Sequence, residues 1–303
     1  MKVAAFSRPG GPDVLEMMEF PDPRAGAGQV RIRVMAAGVQ PYDCAVRAGW
    51  SPPGAPPGLP KIPGNEFAGV VDEVGAGVTG LSSGAEVLGF GRLNAYAQYL
   101  VVPAAQVTAK PATMPWDQAG GFTAGAQTAH IALGELRAGP GDTVLIHAAA
   151  GSVGTMAVQL AAMAGATVIG TAAPANHDYL RSLGATPVAY GDGLLDRVRA
   201  LAPGGVDAAL DGAGGDALTV SLAVVKDRDR ILTLVEHAKA GELGIRVTPN
   251  ARSAARLAEL AGLHADGRLR MHVRATYPLE RAADAHRDVE SRHGRGKVVL
   301  TLT

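Results

Sequence analysis

The chain has 303 residues, 28 Lys+Arg against 28 Asp+Glu, and 47% hydrophobic residues. That length suits about two domains, and a balanced charge gives no electrostatic pull toward nucleic acid or an anionic membrane. One cysteine, Cys44, excludes a disulfide within the chain and fits a reducing, cytoplasmic compartment.

Met1–Phe6 runs straight into a strand-like pattern, with no apolar stretch of signal-peptide length. The first part reads as β-rich. Val30–Val34 alternates apolar and charged residues, the period-two mark of a half-buried strand. Gly69–Gly75, Ala85–Phe90 and Tyr96–Val102 read as further strands, and the Pro/Gly-crowded Ser51–Gly64 as a long loop.

From about Ala119 apolar strands alternate with helix-length segments. The strands are expected at Thr143–His147, Thr167–Thr171, Pro187–Tyr190, Val206–Asp211, Ile231–Val235 and, at an edge, Leu243–Thr248; helices fall at Thr155–Ala164 and Leu194–Leu201. This rhythm implies βαβ units and an α/β, doubly wound parallel sheet. The uncharged run Ala148–Asn176 is punctuated by glycines, and its helical part would span only ~18 Å. A bilayer core needs ~30 Å, so the run reads as a buried strand–loop–helix–strand unit. In the tail, helices are expected at Ala251–Ala265 and Leu279–Val289 and strands at Arg270–Arg274 and Lys297–Leu302, returning to the first domain. The domain expectation is 1–118, 119–248 and the returning 249–303.

Thr143–His147 leads into Ala148-Ala149-Ala150-Gly151-Ser152-Val153-Gly154 and then a helix. A strand, a tight turn of small residues and a new helix present free N–H groups and a positive dipole end to an anion, the device that binds a dinucleotide pyrophosphate. Gly154 would let helix and strand pack closely. NAD sites usually place an acid ~20 residues after the start of this fingerprint. Here the second strand ends Gly170-Thr171-Ala172-Ala173-Pro174 and no acid appears before Asp178, which permits a 2′-phosphate and NADPH. Thr171 and Asn176 are candidate phosphate partners. Tyr190 is either a cover for that phosphate or a surface aromatic.

Several ordered segments resemble the zinc-independent quinone oxidoreductases of the medium-chain dehydrogenase/reductase superfamily. They are Gly38-Val39-Gln40-Pro41-Tyr42-Asp43, Pro63–Val71, Gly75-x-Gly-Val78, Gly84-x-x-Val87, Ala95–Tyr99, Thr128-Ala129 and Arg295-Gly296-Lys297-Val298-Val299-Leu300. The resemblance implies a GroES-like β-rich catalytic domain, a Rossmann domain with the cofactor in the cleft between them, and often a dimer. It places Thr128 at the start of the linking helix. It implies hydride transfer from NADPH to a quinone or an activated C=C bond. Alcohol dehydrogenase relatives bind zinc through Cys and a G-H-E histidine; here Gly64-Asn65-Glu66 stands in that place and all eight histidines lie at or beyond His130. No metal is therefore expected.

Without a metal the protein's task is to hold cofactor and acceptor in register. Tyr42 and Asp43 are the catalytic candidates, against packing and turn-forming readings. Gln40, Trp50 and Asn65 are candidates for the substrate. Asn65, Thr128, Ala148, Gly151, Ser152, Val153, Gly154, Thr171, Asn176, Tyr190, Asp211, Gly212, Leu234, Arg295 and Lys297 are candidates for the cofactor. Cys44 reads as a small buried side chain, and His264, His272, His286 and His293 as surface residues. Related enzymes often carry Tyr or Lys two residues past the Asp; Ala45 stands there, so a donor is missing. An enoyl reductase of a biosynthetic, polyketide-like pathway and a non-catalytic NADPH-binding sensor remain alternatives.

Overall fold

The computed structural model describes residues 1–292 and 294–302, so His293 lies outside the described residues. It divides into two compact units, Met1–Ala124 with Ser253–Thr303, and Gly125–Arg252.

The first unit is organised by one strand, Gln29–Val39. Its one side pairs antiparallel with Glu66–Val74. Its other side is shared: Gln29–Arg33 pairs with Tyr99–Pro103, and Ala36–Val39 pairs with Lys297–Thr301. Register shifts near Arg31 and Val34 interrupt its pairing with Glu66–Val74. The alternation seen in the sequence is kept: Val30, Ile32 and Val34 point into a core with Phe67, Val71, Leu100, Val298 and Leu300. Burying each such side chain contributes ~1.5–3 kcal/mol. The pairing has a consequence for function. Ala37 lies opposite Phe67, and Val39 opposite Val298. The end of the first strand, at Gln40, therefore meets the starts of the other two, at Glu66 and Lys297.

The second unit is a six-stranded parallel sheet. In space its order is Ala185–Val188, Thr167–Thr171, Thr143–Ile146, Ala208–Asp211, Ile231–Thr233, Arg246–Val247. Numbered along the chain this is 3-2-1-4-5-6, so the order reverses beside the first strand, where such sheets bind ligands. Leu145, Ile169, Val198, Ala209, Leu218 and Ile231 share its core.

Some elements differ from expectation. The third strand is Ala185–Val188 and stops two residues before Tyr190; Pro187 is tolerated inside it because it is an edge strand. The tail strand is Val273–Pro278 rather than Arg270–Arg274. Thr128 does not begin a helix: the helix runs Trp116–Glu135, with Thr128 in its second half. Gly120 and Gly121 weaken local helix propensity but serve packing. A Cβ on Gly120 would stand 2.5 Å from the Cβ of Ala36, and one on Gly121 2.8 Å from Cγ of Lys297. His286 is not at the surface; it is fully buried on the helix Ala282–Glu290, while His264 and His272 are half-buried. Among the described residues no helix is long and apolar enough to cross a membrane.

These contacts predict opposite signs for two glycine replacements. Gly120→Val should lower stability in urea by about 1–3 kcal/mol through overpacking. Gly262→Ala, on the open face of the helix Ala254–Ala265, should raise it by about 0.5–1 kcal/mol. Equal midpoints for the two variants would contradict the packing described.

Candidate functional site

In the second unit the strand Thr143–Ile146 delivers the chain to a bend of bare backbone. Ala148 takes the left-handed conformation (φ 54°) and is exposed. Ala149 N–H donates to the Thr171 carbonyl at 3.0 Å, and Gly151 N–H to the Ala148 carbonyl at 2.9 Å. The helix Ser152–Met163 then begins at Gly151 with no side-chain cap and no acid in its first turn. Its first N–H groups and positive dipole end are left for an anion. A Cβ on Gly154 would stand 2.3 Å from the Ala148 carbonyl oxygen and 2.6 Å from Cα of Ala149. Only glycine permits that approach. Gly151, Ser152 and Val153 are half-buried beside it.

Two sequence candidates are buried around this bend, Thr171 against it and Asp211 under the turn beside it. Thr171 is 2% exposed; its hydroxyl accepts from Ala148 N–H at 3.2 Å and lies 3.3 Å from Nδ1 of His147. Asp211 is fully buried. Its Oδ1 accepts from the N–H groups of Ala213 and Gly214, and its Oδ2 from the Thr233 hydroxyl. Thr233 Oγ1 in turn accepts from Val235 and Glu236 N–H, and Leu234 N–H donates to the Asp211 carbonyl. The carboxylate thus shapes two neighbouring turns. Gly212 passes close to the bend, since its Cβ would stand 3.0 Å from the His147 carbonyl oxygen. Asn176 is half-buried in a short turn, and Tyr190 is 58% exposed on a loop. Arg197 fixes that loop by donating to the carbonyls of Ala189, Tyr190, Gly191 and Asp192. The sequence gives Arg197 no special mark beyond its place on an amphipathic helix.

In the first unit a second polar cluster forms where the three strands meet. Lys297 Nζ pairs with Glu66 Oε1 at 2.5 Å, and both side chains are essentially buried. Glu66 Oε2 also accepts from Ala124 N–H at 2.6 Å. Lys297 donates to Oε1 of Gln40, and Gln40 Nε2 donates to Oδ1 of Asn65, which is 3% exposed. A Cβ on Gly38 would stand 2.0 Å from Oε1 of Glu66, so the bare backbone there makes room for the pair. Lys297, a cofactor candidate in the sequence, is here a buried partner of Glu66 and Gln40. Glu66 was assigned no role from the sequence; a charged residue immediately before the apolar run Phe67–Val71 was the available signal.

Asp43 is likewise fully buried, with Oδ1 on Gly64 N–H and Oδ2 on Gln40 N–H. Burial pushes its carboxyl up to about 7 despite the nearby Lys297 charge. It positions the Gly64–Asn65 segment and touches no open space. Behind it Tyr96, His286, Arg47 and Glu290 form a chain of contacts. Tyr42 donates its hydroxyl to the Arg92 carbonyl at 3.1 Å and meets the ring of Trp50 edge-on at 5.1 Å. Trp50 is 47% exposed, and Arg295 is half-buried. The Cys44 thiol is buried and pushed up to about 12 by desolvation. Among the described residues no group of three or more His, Cys, Asp or Glu is placed to hold a metal ion.

His147 supplies a pH test of the bend. Burial lowers it to about 4 from 6.5. Between those values the folded chain binds fewer protons than the unfolded chain. Stability is thus full above 6.5 and falls as pH drops toward 4, by ~1.4 kcal/mol per pH unit for this group. His147→Gln, neutral and able to reach Ser221, should flatten that acid slope by about one proton. An unchanged slope in urea titrations across pH would contradict the assignment.

Residues 26–112 match the family model described as an alcohol dehydrogenase GroES-like domain, and residues 183–300 the one described as a zinc-binding dehydrogenase. The chain is 36% identical to the pikromycin polyketide synthase component PikAII of Streptomyces venezuelae, covering 93% of this chain and 8% of that much longer protein. The quinone oxidoreductase structure from Coxiella burnetii superposes with a TM-score of 0.90 at 30% identity, covering 100% of this chain and 99% of that one. A mycobacterial protein solved in complex with NADPH gives 0.86 at 30% identity, covering 99% of this chain and 100% of that one. The parallel sheet is thus a Rossmann sheet and the β-rich unit is GroES-like. Both halves of the molecule carry the likeness, and the chain belongs to the medium-chain dehydrogenase/reductase superfamily, in its quinone oxidoreductase-like branch.

Proposed function

We propose that this protein is a zinc-free, NADPH-dependent reductase acting on quinones or activated C=C bonds. The observation that carries the reading is the bend Ala148–Gly154, a bare backbone cradle at an uncapped helix start with no acid in its first turn. Such a site holds a diphosphate by N–H donation and helix dipole. Thr128, Ala148, Gly151, Ser152, Val153, Gly154, Gly212 and Leu234 are the proposed cofactor contacts of this unit. Asn176 and Tyr190 are proposed for the 2′-phosphate, with Arg197 positioning Tyr190 from behind. The first acid after the second strand, Asp178, is exposed and paired with Arg181, so no carboxylate is buried there to repel a phosphate. The mycobacterial relative bound to NADPH supports the same cofactor.

The bound nicotinamide supplies a hydride; the chain's own residues bind, orient and exclude water. The residues present do not fit a catalytic zinc. Asn65 stands at the would-be ligand position with its oxygen taken by Gln40, and the single thiol is held protonated. Simple alcohols and aldehydes, which need that polarisation, are poor substrates in this reading. The Tyr42 hydroxyl donates its hydrogen bond to the Arg92 carbonyl and Asp43 is sealed, so in this reading the proton that completes reduction comes from solvent. Gln40, Asn65, Trp50 and Tyr42 form the acceptor surface. The likeness to part of a polyketide synthase component favours a second reading, an enoyl reductase. The edge strand Arg246–Val247, with Val247 39% exposed, is proposed to pair in a homodimer. A buried single thiol suits a reducing, cytoplasmic setting.

Ser152→Asp separates binding from folding. A carboxylate in the first turn should stabilise the helix by ~0.3–1 kcal/mol yet repel the diphosphate. NADPH affinity by fluorescence titration should fall about tenfold or more, with the melting temperature unchanged or raised. Unchanged affinity in that variant would refute the site. NADPH should bind more tightly than NADH, and equal affinities would remove the cofactor assignment. Quinones against enoyl thioesters then decide between the two acceptor classes.

A further inference from the structure

Asn65 is 3% exposed; among the described residues its Nδ2 donates to no acceptor, and that atom keeps a small solvent-accessible edge. Its orientation follows from a one-way chain of hydrogen bonds. An ammonium has donors only, so Lys297 must meet the oxygen of Gln40. That leaves Nε2 of Gln40 facing Asn65, where it must find Oδ1. Asn65 is left with its N–H₂ turned away from the cluster. Glu66 keeps Lys297 charged and in place, and Asp43 fixes the backbone of Gln40 and Gly64 on either side. The direction of both amides is thus set by one buried lysine.

We infer that Asn65 Nδ2 is the donor that holds the carbonyl oxygen of the acceptor and stabilises the negative charge developing there, with Gln40, Lys297 and Glu66 as its positioning residues. This rests on the reductase reading above and deepens it. In reduction of an enone, hydride forms the new C–H bond at the β-carbon. The C=C electron pair shifts to make an enolate, and charge gathers on the oxygen. Asn65 donates a hydrogen bond to that oxygen without transferring its proton. Water then protonates the α-carbon, giving the saturated ketone and hydroxide. In a quinone the same donor meets one of the two oxygens. The donor is polarised through two amides that end on an ammonium.

Lys297→Met would strand the Glu66 carboxylate and can fail to fold, so the test uses Asn65→Ala and Gln40→Met, both neutral. The probe is p-nitrophenolate, a stable oxyanion, titrated by absorption into protein saturated with oxidised cofactor. The expected result is binding by the parent protein with its band shifted to shorter wavelength. Asn65→Ala should bind about tenfold more weakly and lose the shift, and Gln40→Met should move the same way by a smaller factor. Cofactor affinity should stay within about twofold in both. With an enone, kcat should fall about 10²–10³-fold in Asn65→Ala, with less change in KM. Absence of phenolate binding by the parent, or full affinity and band shift in Asn65→Ala, would overturn the inference. Failure of every acceptor to oxidise NADPH would instead sink the reductase reading, and the phenolate result stands apart from it.

Discussion

No side chain fits between the start of the helix Ser152–Met163 and the bend that precedes it. The backbone of Ala148 and Ala149 lies where any β-carbon on Gly154 would go. That contact fixes how the helix leaves the sheet, and so fixes where its first N–H groups point. Thr171 and His147 hold the bend from below, and Asp211 shapes the turn beside it. These side chains are sealed from solvent because they determine backbone shape; the exposed surface of the site is left to peptide groups and small residues. A diphosphate needs donors at fixed positions, and backbone N–H groups provide them with little entropy to lose on binding.

The first unit solves a different problem with buried charge. A lysine and a glutamate taken out of water are costly to desolvate, and the pair is retained here with further hydrogen bonds on both partners. Gly38 and Gly121 leave room for it. A hydrophobic replacement would fill the same space but would leave Gln40 and Asn65 free to turn either way. The charge pair gives direction to two amides, a property that packing alone cannot supply.

Much of the second unit was legible in the sequence. Thr167–Thr171 and Leu194–Leu201 fall where their apolar spacing puts them. The fingerprint between Ala148 and Gly154 was readable because strand, turn and helix are contiguous. Boundaries failed where tertiary packing overrides local preference, as at Gly120 and Gly121 in the long helix, or where an edge position excuses a proline, as at Pro187. Lys297 and Gln40 are brought together from 257 positions apart, and no local pattern announces that contact. Likewise the duties of Thr171 and Asp211 depend on atoms from neighbouring strands. His286 was legible in principle: Ala282, Ala285, His286 and Val289 share one face of a helix, which the charges between them obscured.

The most direct measurement is a crystal structure of the protein grown with excess NADPH. The account predicts diphosphate density over the N–H groups of Ser152 and Val153, with the bend unchanged around Ala148. Density for the nucleotide elsewhere, or a bend closed by protein atoms with no nucleotide bound, would contradict it.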